Sequence, residues 1–233
     1  MKITLINGAN HKGSTYHIGR MLAEKLTASE NITEVFLPKD MPNFCLGCAK
    51  CIMEDEKLCP HYSNIEPITK LIDCADVLIF TSPVYVFHAT GSMKALLDHY
   101  AYRWMPHRPE EKMFSKQGVC IATAAGAGMK STIKDMRDSL SFWCVGKIYS
   151  YGIAVNAIKW DEVPEKKKAR IAKKTDSLAK AISAREGKVR PSLKTLLWFY
   201  AMRLMQKKPI NEVDGAYWKA KGWKGAERPW KKS

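Results

Sequence analysis

Four cysteines fall within fifteen residues, as Cys45-x2-Cys48-x2-Cys51-x7-Cys59, and Pro60 follows the last. Thiols this close in sequence point to metal or redox chemistry before they point to structural disulfides. Four thiolates at such spacing can surround a [4Fe-4S] cube, and a proline after the last cysteine recurs in such runs. They can equally hold tetrahedral zinc or remain free, reversibly oxidised thiols. The other three cysteines, Cys74, Cys120 and Cys144, lie in apolar stretches and are expected as small core residues.

A second kind of chemistry is written in three loops. The first, Asn7-Gly8-Ala9-Asn10-His11-Lys12-Gly13-Ser14-Thr15, is small and polar and runs from an apolar strand into a helical pattern. A helix start offers unpaired backbone N–H groups and the positive end of the dipole, and Ser14 and Thr15 add hydroxyl donors, so the segment reads as a phosphate cradle. It lacks both the Gly-Lys-Ser/Thr ending of a nucleoside-triphosphate loop and a Gly-x-Gly-x-x-Gly fingerprint, which favours a monophosphate such as that of FMN over ATP or tightly bound NAD. The competing reading is an ordinary strand-to-helix turn capped by Ser14. The second loop, Thr81-Ser82-Pro83-Val84-Tyr85-Val86-Phe87-His88, supplies aromatic walls of the kind a planar ring stacks on, unless Pro83 and Tyr85 only shape the loop. The third, Thr123-Ala124-Ala125-Gly126-Ala127-Gly128, has almost no side chain and lets backbone approach a flat ligand, or is merely a tight connection.

The elements that would position these loops are short apolar runs with turn residues at their ends: Ile3 to Ile6, Val77 to Phe80, Val119 to Ala122 and Ile148 to Val155, with a weaker one at Ile32 to Leu37. Helical spacing separates them, as in Ile18, Met21, Leu22, Leu26 and in Met93, Leu96, Leu97, Tyr100. Alternating strands and helices imply a parallel sheet covered on both faces, an α/β three-layer sandwich of flavodoxin-like type with five strands in the order 2-1-3-4-5. In that order the loops after strands one, three and four converge at the point where the strand sequence reverses.

Three motifs together, Gly8-Ala9-Asn10-x-x-Gly13-Ser14-Thr15, Ser82-Pro83-Val84-Tyr85 and Gly91-Ser92-Met93-Lys94-Ala95-Leu96-Leu97-Asp98, resemble the NADPH-dependent FMN reductase family over roughly residues 1 to 155. The cysteine motif, placed between the second strand and the second helix, resembles the iron-sulfur flavoprotein branch. The resemblance implies a flavodoxin-like fold, bound FMN, NAD(P)H as reductant and a homodimer or homotetramer. By position it implies that Asn10, Ser14 and Thr15 hold the phosphate, that Pro83, Val84 and Tyr85 border the ring, and that Gly126 and its neighbours line the other side. With the loop readings, the candidate cofactor-binding residues are Asn10, His11, Ser14, Thr15, Ser82, Pro83, Val84, Tyr85, Phe87, Thr123, Ala124, Ala125 and Gly126, and the candidate metal ligands are Cys45, Cys48, Cys51 and Cys59. No acid-base side chain is required, because a flavin carries the chemistry itself.

Charge divides the chain. Its 38 Lys+Arg and 23 Asp+Glu give +15, of which residues 157–233 contribute +13 from 21 basic against 8 acidic side chains. A charged helix with Ile171, Leu178 and Ile182 on one side is expected to close a domain of residues 1–187. Residues 188–233 form a basic, aromatic extension with Trp198, Trp218, Trp223 and Trp230. Apolar residues at 193, 196, 197, 200 and 204 make a stripe expected to face protein, either its own domain or a second subunit, in preference to a membrane surface. No nucleic-acid motif accompanies the charge. The start Met1 to Gly8 is too short and mixed for a signal peptide or span, so a cytoplasmic protein is expected. The expected function is FMN-dependent electron transfer from NAD(P)H or a reduced redox protein to a small acceptor such as a quinone, a nitro compound or free flavin. The alternative is an iron-sulfur flavoprotein relaying electrons between partners such as ferredoxin.

Overall fold

The computed structural model describes residues 1–231. Five strands, β1 (Ile3–Asn7), β2 (Ile32–Phe36), β3 (Val77–Pro83), β4 (Gln117–Ala124) and β5 (Lys147–Ala154), pair in parallel in the order β2-β1-β3-β4-β5. This is the flavodoxin-like order, with the reversal between β1 and β3. Register places Asn7 opposite Thr81, and Pro83 opposite Thr123, so β1, β3 and β4 end along one edge of the sheet and release their loops there.

The helices are α1 (Ser14–Glu24), the single turn α2 (Lys50–Met53), α3 (Tyr62–Cys74), α4 (Gly91–His99), α5 (Met129–Phe142), α6 (Glu165–Ser183), α7 (Leu193–Met205) and α8 (Glu212–Ala220). Side chains alternate across the sheet as the strand period of two requires. Leu78, Phe80 and Cys120 join the core with Ile65, Ile68 and Ile72 of α3, Leu96 and Leu97 of α4 and Leu140 of α5. Val77, Ile79, Val119 and Ile121 join the opposite core with Ile18 and Leu22 of α1 and with Ile171, Leu178 and Ile182 of α6. Two apolar layers therefore clamp the central strands, which is why β1, β3 and β4 read as unbroken apolar runs. Strand β5 differs from the buried run expected of it: it has a neighbour on one side only, and Lys147 and Gly152 are exposed.

A third cluster lies outside these layers. Phe199 and Met202 of α7, Trp218 of α8 and Trp223 pack with Met105, Phe114 and Cys144. Polar edges fix the arrangement: Trp218 Nε1–H donates to the His107 carbonyl at 2.7 Å, Tyr217 OH to the Pro109 carbonyl at 2.7 Å, and Gln206 Nε2–H to the Pro106 carbonyl at 2.7 Å. The extension thus caps the segment between α4 and β4. Two expectations need correction. Of the two alternatives for the stripe at 193, 196, 197, 200 and 204, its own domain or a second subunit, the first does not hold: α7 buries Thr195, Phe199 and Met202, with Gln206 after it, Leu196 is half-buried, and Leu193, Leu197, Tyr200 and Leu204 point outward. Hydrogen-bonding Thr and Gln satisfy a protein contact that an apolar count assigns to the other face. Cys74, at the end of α3, is exposed, whereas Cys120 and Cys144 are buried as expected. Among the described residues no helix is long and apolar enough to cross a membrane.

Candidate functional site

The loop after β1 is held by its neighbours. Gly8 N–H donates to the Thr81 carbonyl at 2.7 Å, and the Gly8 carbonyl accepts from Thr90 Oγ1 at 2.6 Å and Ser92 Oγ at 3.2 Å. A Cβ at Gly8 would lie 2.9 Å from the Thr81 carbonyl oxygen and 3.0 Å from Thr90 Oγ1, so the close approach requires glycine. Thr90 also caps α4 by accepting from Met93 N–H at 3.2 Å, joining the second loop to the first with one hydroxyl.

Helix α1 then starts without a cap. Its N-cap residue is Gly13, no side chain bonds its first turn, and the buried Ser14 hydroxyl has no partner among the described residues. The reading in which Ser14 merely caps an ordinary turn therefore does not hold. A helix N-terminus without a side-chain cap and with an orphaned hydroxyl beside it has the donors to hold an anion. Thr15 pairs its hydroxyl with that of Thr123 at 2.7 Å, tying the first loop to the third. Asn7, Ala9, His11, Gly13, Thr15, Tyr16, Thr81 and Pro83 line one cleft at this edge.

The second loop is a tight hairpin. Tyr85 and His88 exchange backbone hydrogen bonds of 2.9 and 3.0 Å, and Val86 and Phe87 between them take left-handed φ values of 48° and 65°. That geometry is unusual for a β-branched and an aromatic residue and is retained only where surroundings impose it. Here they do: Asp135 of α5 accepts from Ala89 N–H at 3.0 Å and pairs with His88 Nδ1 at 3.0 Å, and Ser131 Oγ donates to the Phe87 carbonyl. Gly128, with φ of 91°, closes the third loop beneath this hairpin; a Cβ there would come within 2.6 Å of Val84 and 3.1 Å of Phe87 Cα.

The candidate residues thus fall into groups. His11, Thr15 and Pro83 line the cleft, Ser14 lies at the helix start, and Val84 is half-buried beside Pro83. Tyr85 and Phe87 stand exposed on the hairpin, Asn10, Ala125 and Gly126 are exposed on their loops, and Ala124 is half-buried. Ser82 is turned to structure, accepting from Thr90 N–H at 3.0 Å and donating to the Pro83 carbonyl. Thr90, Ser92, Gly128 and Asp135 were not among the candidates. These contacts span 41 to 84 residues of sequence, and only the Thr-Gly-Ser that opens α4, a cap signature, hinted at Thr90.

The four clustered cysteines also meet. Cys45, Cys48, Cys51 and Cys59 line one small pocket with Leu46, Ala49, Pro60, His61 and His99. Residues 42–49 have no regular secondary structure, and left-handed Gly47 and Ala49 curl the segment inward, with φ of 65° and 57°. Burial pushes the Cys51 thiol up to about 11, and the nearby Cys59, Cys45 and Cys48 push it the same way; burial also raises Cys59. Burial and the neighbouring thiols thus oppose ionisation of Cys51 and Cys59, and a multivalent cation would remove that penalty. His99 Nδ1–H donates to the Ala95 carbonyl at 2.7 Å, so its Nε2 accepts from His61 Nδ1 at 3.0 Å. Cys59, His61 and His99 offer ligand atoms within 4.8 Å of one another, a grouping that the cysteine spacing alone did not signal.

Arg108 ties this pocket to the folded body. Its guanidinium donates to the carbonyls of Cys51 and Ile52, and to Asp214 Oδ1 at 2.7 Å. Asp214, almost fully buried, also pairs with His107 Nδ1 at 2.7 Å and accepts from Asn211 Nδ2–H at 2.8 Å. The cysteine loop is thereby linked to α8 through one buried arginine.

Comparison with known proteins bears on both sites. The family model described as NADPH-dependent FMN reductase matches residues 1–161. An iron-sulfur flavoprotein of Archaeoglobus fulgidus is 26% identical over 220 residues, covering 88% of this chain and 92% of that protein. An iron-sulfur flavoprotein of Methanocaldococcus jannaschii is 29% identical over 144 residues, 59% of this chain and 70% of that one. Among solved structures, an FMN-dependent NADH-azoreductase from Bacillus anthracis in complex with FMN superposes with a TM-score of 0.54 at 12% identity, over 77% of this chain and 100% of that one, which is a likeness of fold. Over the region that contains the sheet and all three loops, the chain belongs to the NADPH-dependent FMN reductase family.

Proposed function

We propose that this protein is an FMN-dependent oxidoreductase that takes electrons from NAD(P)H or a reduced redox protein and delivers them to a small acceptor such as a quinone, a nitro compound or free flavin. The observation that carries this reading is the orphaned, buried Ser14 hydroxyl at the uncapped start of α1, between Gly13 and Thr15, which line one cleft with Thr81 and Pro83 at the end of β3. Bound FMN supplies hydride exchange with a nicotinamide and stepwise electron release. The chain's own residues bind and orient. Ser14, Thr15 and the first N–H groups of α1 hold the phosphate, and His11 and Asn10 flank it. Pro83, Val84 and the Tyr85–Phe87 hairpin border the ring on one side, and the small residues Ala124 to Gly126 admit it on the other. The exposed hairpin tip leaves an edge open to a substrate.

A second reading is supported by the cysteine pocket together with relatives that carry the iron-sulfur flavoprotein name. In it, Cys45, Cys48, Cys51 and Cys59 hold a [4Fe-4S] cluster, and the protein passes single electrons to or from a partner such as ferredoxin. Helix α4 touches the first loop through Thr90 and Ser92 at its start and the cysteine pocket through His99 at its end. Its nine residues extend about 13 Å at 1.5 Å each.

Anaerobic purification followed by a visible spectrum and assays of iron and acid-labile sulfide tests both readings. Flavin bands with stoichiometric iron and sulfide are expected. A colourless protein that takes up no added FMN contradicts the first reading, and flavin without iron or sulfide contradicts the second. Rapid NAD(P)H oxidation by the isolated protein marks the enzyme, and reduction through ferredoxin alone marks the relay.

A further inference from the structure

Helix α7 carries the largest unexplained feature of the surface. Leu193, Leu197, Leu204 and the following Ile210 are 80%, 73%, 65% and 75% exposed, and Trp198, Tyr200 and Met205 are exposed beside them. At 100° per residue, Leu193, Leu197, Tyr200 and Leu204 fall in one stripe of roughly 60°, whereas Trp198 lies about 130° from its centre, beside the packed face and against Phe142. This ridge is not waiting to fold back onto the domain. The opposite side of α7 is already packed through Phe199 and Met202, Ser192 caps its start, and Arg203 holds the carbonyls of Trp223, Lys224 and Gly225. The ridge is fixed in place and faces outward.

Charge selects the occupant. From residue 188 to residue 211 the chain has Lys188, Arg190, Lys194, Arg203, Lys207 and Lys208 and no Asp or Glu. A second copy meeting this face across a two-fold axis would set like charges against like, on a chain that already carries +15. An anionic lipid surface offers the opposite: an apolar interior for the leucines, an interfacial zone suited to Tyr200, and headgroups that pair with the lysines. We propose that α7 is a docking ridge that seats the protein on an anionic bilayer, parallel to its plane, with Leu193, Leu197 and Leu204 entering the acyl boundary. The proposal does not depend on flavin or cluster.

The test is co-sedimentation of the full-length, FMN-loaded protein with vesicles of phosphatidylcholine alone or with about a quarter phosphatidylglycerol. The comparison is with the double variant Leu197→Glu, Leu204→Glu. Both positions are exposed, so the variant is expected to keep its thermal midpoint and flavin content. The wild type is expected to sediment with the phosphatidylglycerol vesicles at least about tenfold better than with phosphatidylcholine alone. It should lose about as much in the double variant, and again in roughly 0.5 M salt, where screening is severe. Three results overturn the proposal: a wild type that stays in the supernatant, a variant that sediments equally well, or a wild-type dimer that the variant converts to monomer without any vesicle binding, which would assign the ridge to a second copy.

Discussion

The flavin-type cleft and the cysteine pocket are built on opposite principles. The cleft sits where three central strands end in register, and its loops are cross-tied by hydrogen bonds among Gly8, Thr81, Thr90, Thr15 and Thr123. Its shape is set by the sheet before any ligand arrives, which is how binding cost is kept low. The cysteine pocket is made of irregular chain between β2 and α3, curled by two left-handed residues and anchored by Arg108. Its irregular chain, with Cys51 and Cys59 held from ionising by burial and by the neighbouring thiols, has little reason to hold its shape without a cation. One site is a product of the fold; the other, on the proposed cluster reading, would complete its folding with its ligand.

Removing a ligand of the proposed cluster is the strongest way to break that contrast. Cys51→Ser is expected to lose iron and sulfide together and to raise protease cleavage within residues 42–60 by about tenfold or more, since local opening there meets few packed contacts. FMN affinity should stay within about twofold if the two sites are built independently. A large loss of flavin in this variant would erase the distinction.

Arg108→Met comes next. It leaves Asp214 buried with only His107 and Asn211, and about 3 kcal/mol of stability should be lost, read by denaturant unfolding. The Cys51 segment should loosen with it, seen as faster amide exchange, while the cleft loops remain protected.

Ser14→Ala sharpens the other half of the comparison. If the orphaned Ser14 hydroxyl holds the phosphate as proposed, its charge-assisted bond contributes about 1.5–3 kcal/mol, so FMN should bind about tenfold or more weakly with iron content unchanged. Thr90→Ala should have the smallest effect, about 1 kcal/mol of stability from the lost α4 cap, with a few-fold weakening of FMN because the Gly8 carbonyl loses its tie.

Much of this was legible in the sequence, for identifiable reasons. Ile3 to Asn7 and Val77 to Pro83 announce themselves because strands buried on both faces must be apolar throughout. The small and aromatic loops were legible because their positions after strands one, three and four are dictated by topology. What stayed hidden depends on partners distant in sequence. Thr90 matters through a carbonyl 82 residues away, and Asp214 and Arg108 pair across 106 residues. In helix α7 the own-domain alternative failed partly for that reason: Gln206 bonds the Pro106 carbonyl 100 residues away, while Thr195 is held locally by Ser192, neither bond is visible in hydrophobic spacing, and the most regular leucine stripe faces out.

The central claim is that the open start of α1 is an anion cradle that gives the cleft its ligand, and flavin fluorescence titration of the apoprotein with FMN and with riboflavin tests it most directly. The two differ only in the phosphate. FMN is expected to bind about a hundredfold more tightly than riboflavin, with most of that gap abolished in Ser14→Ala. Equal affinity for the two ligands, or a gap untouched by the substitution, would contradict the account.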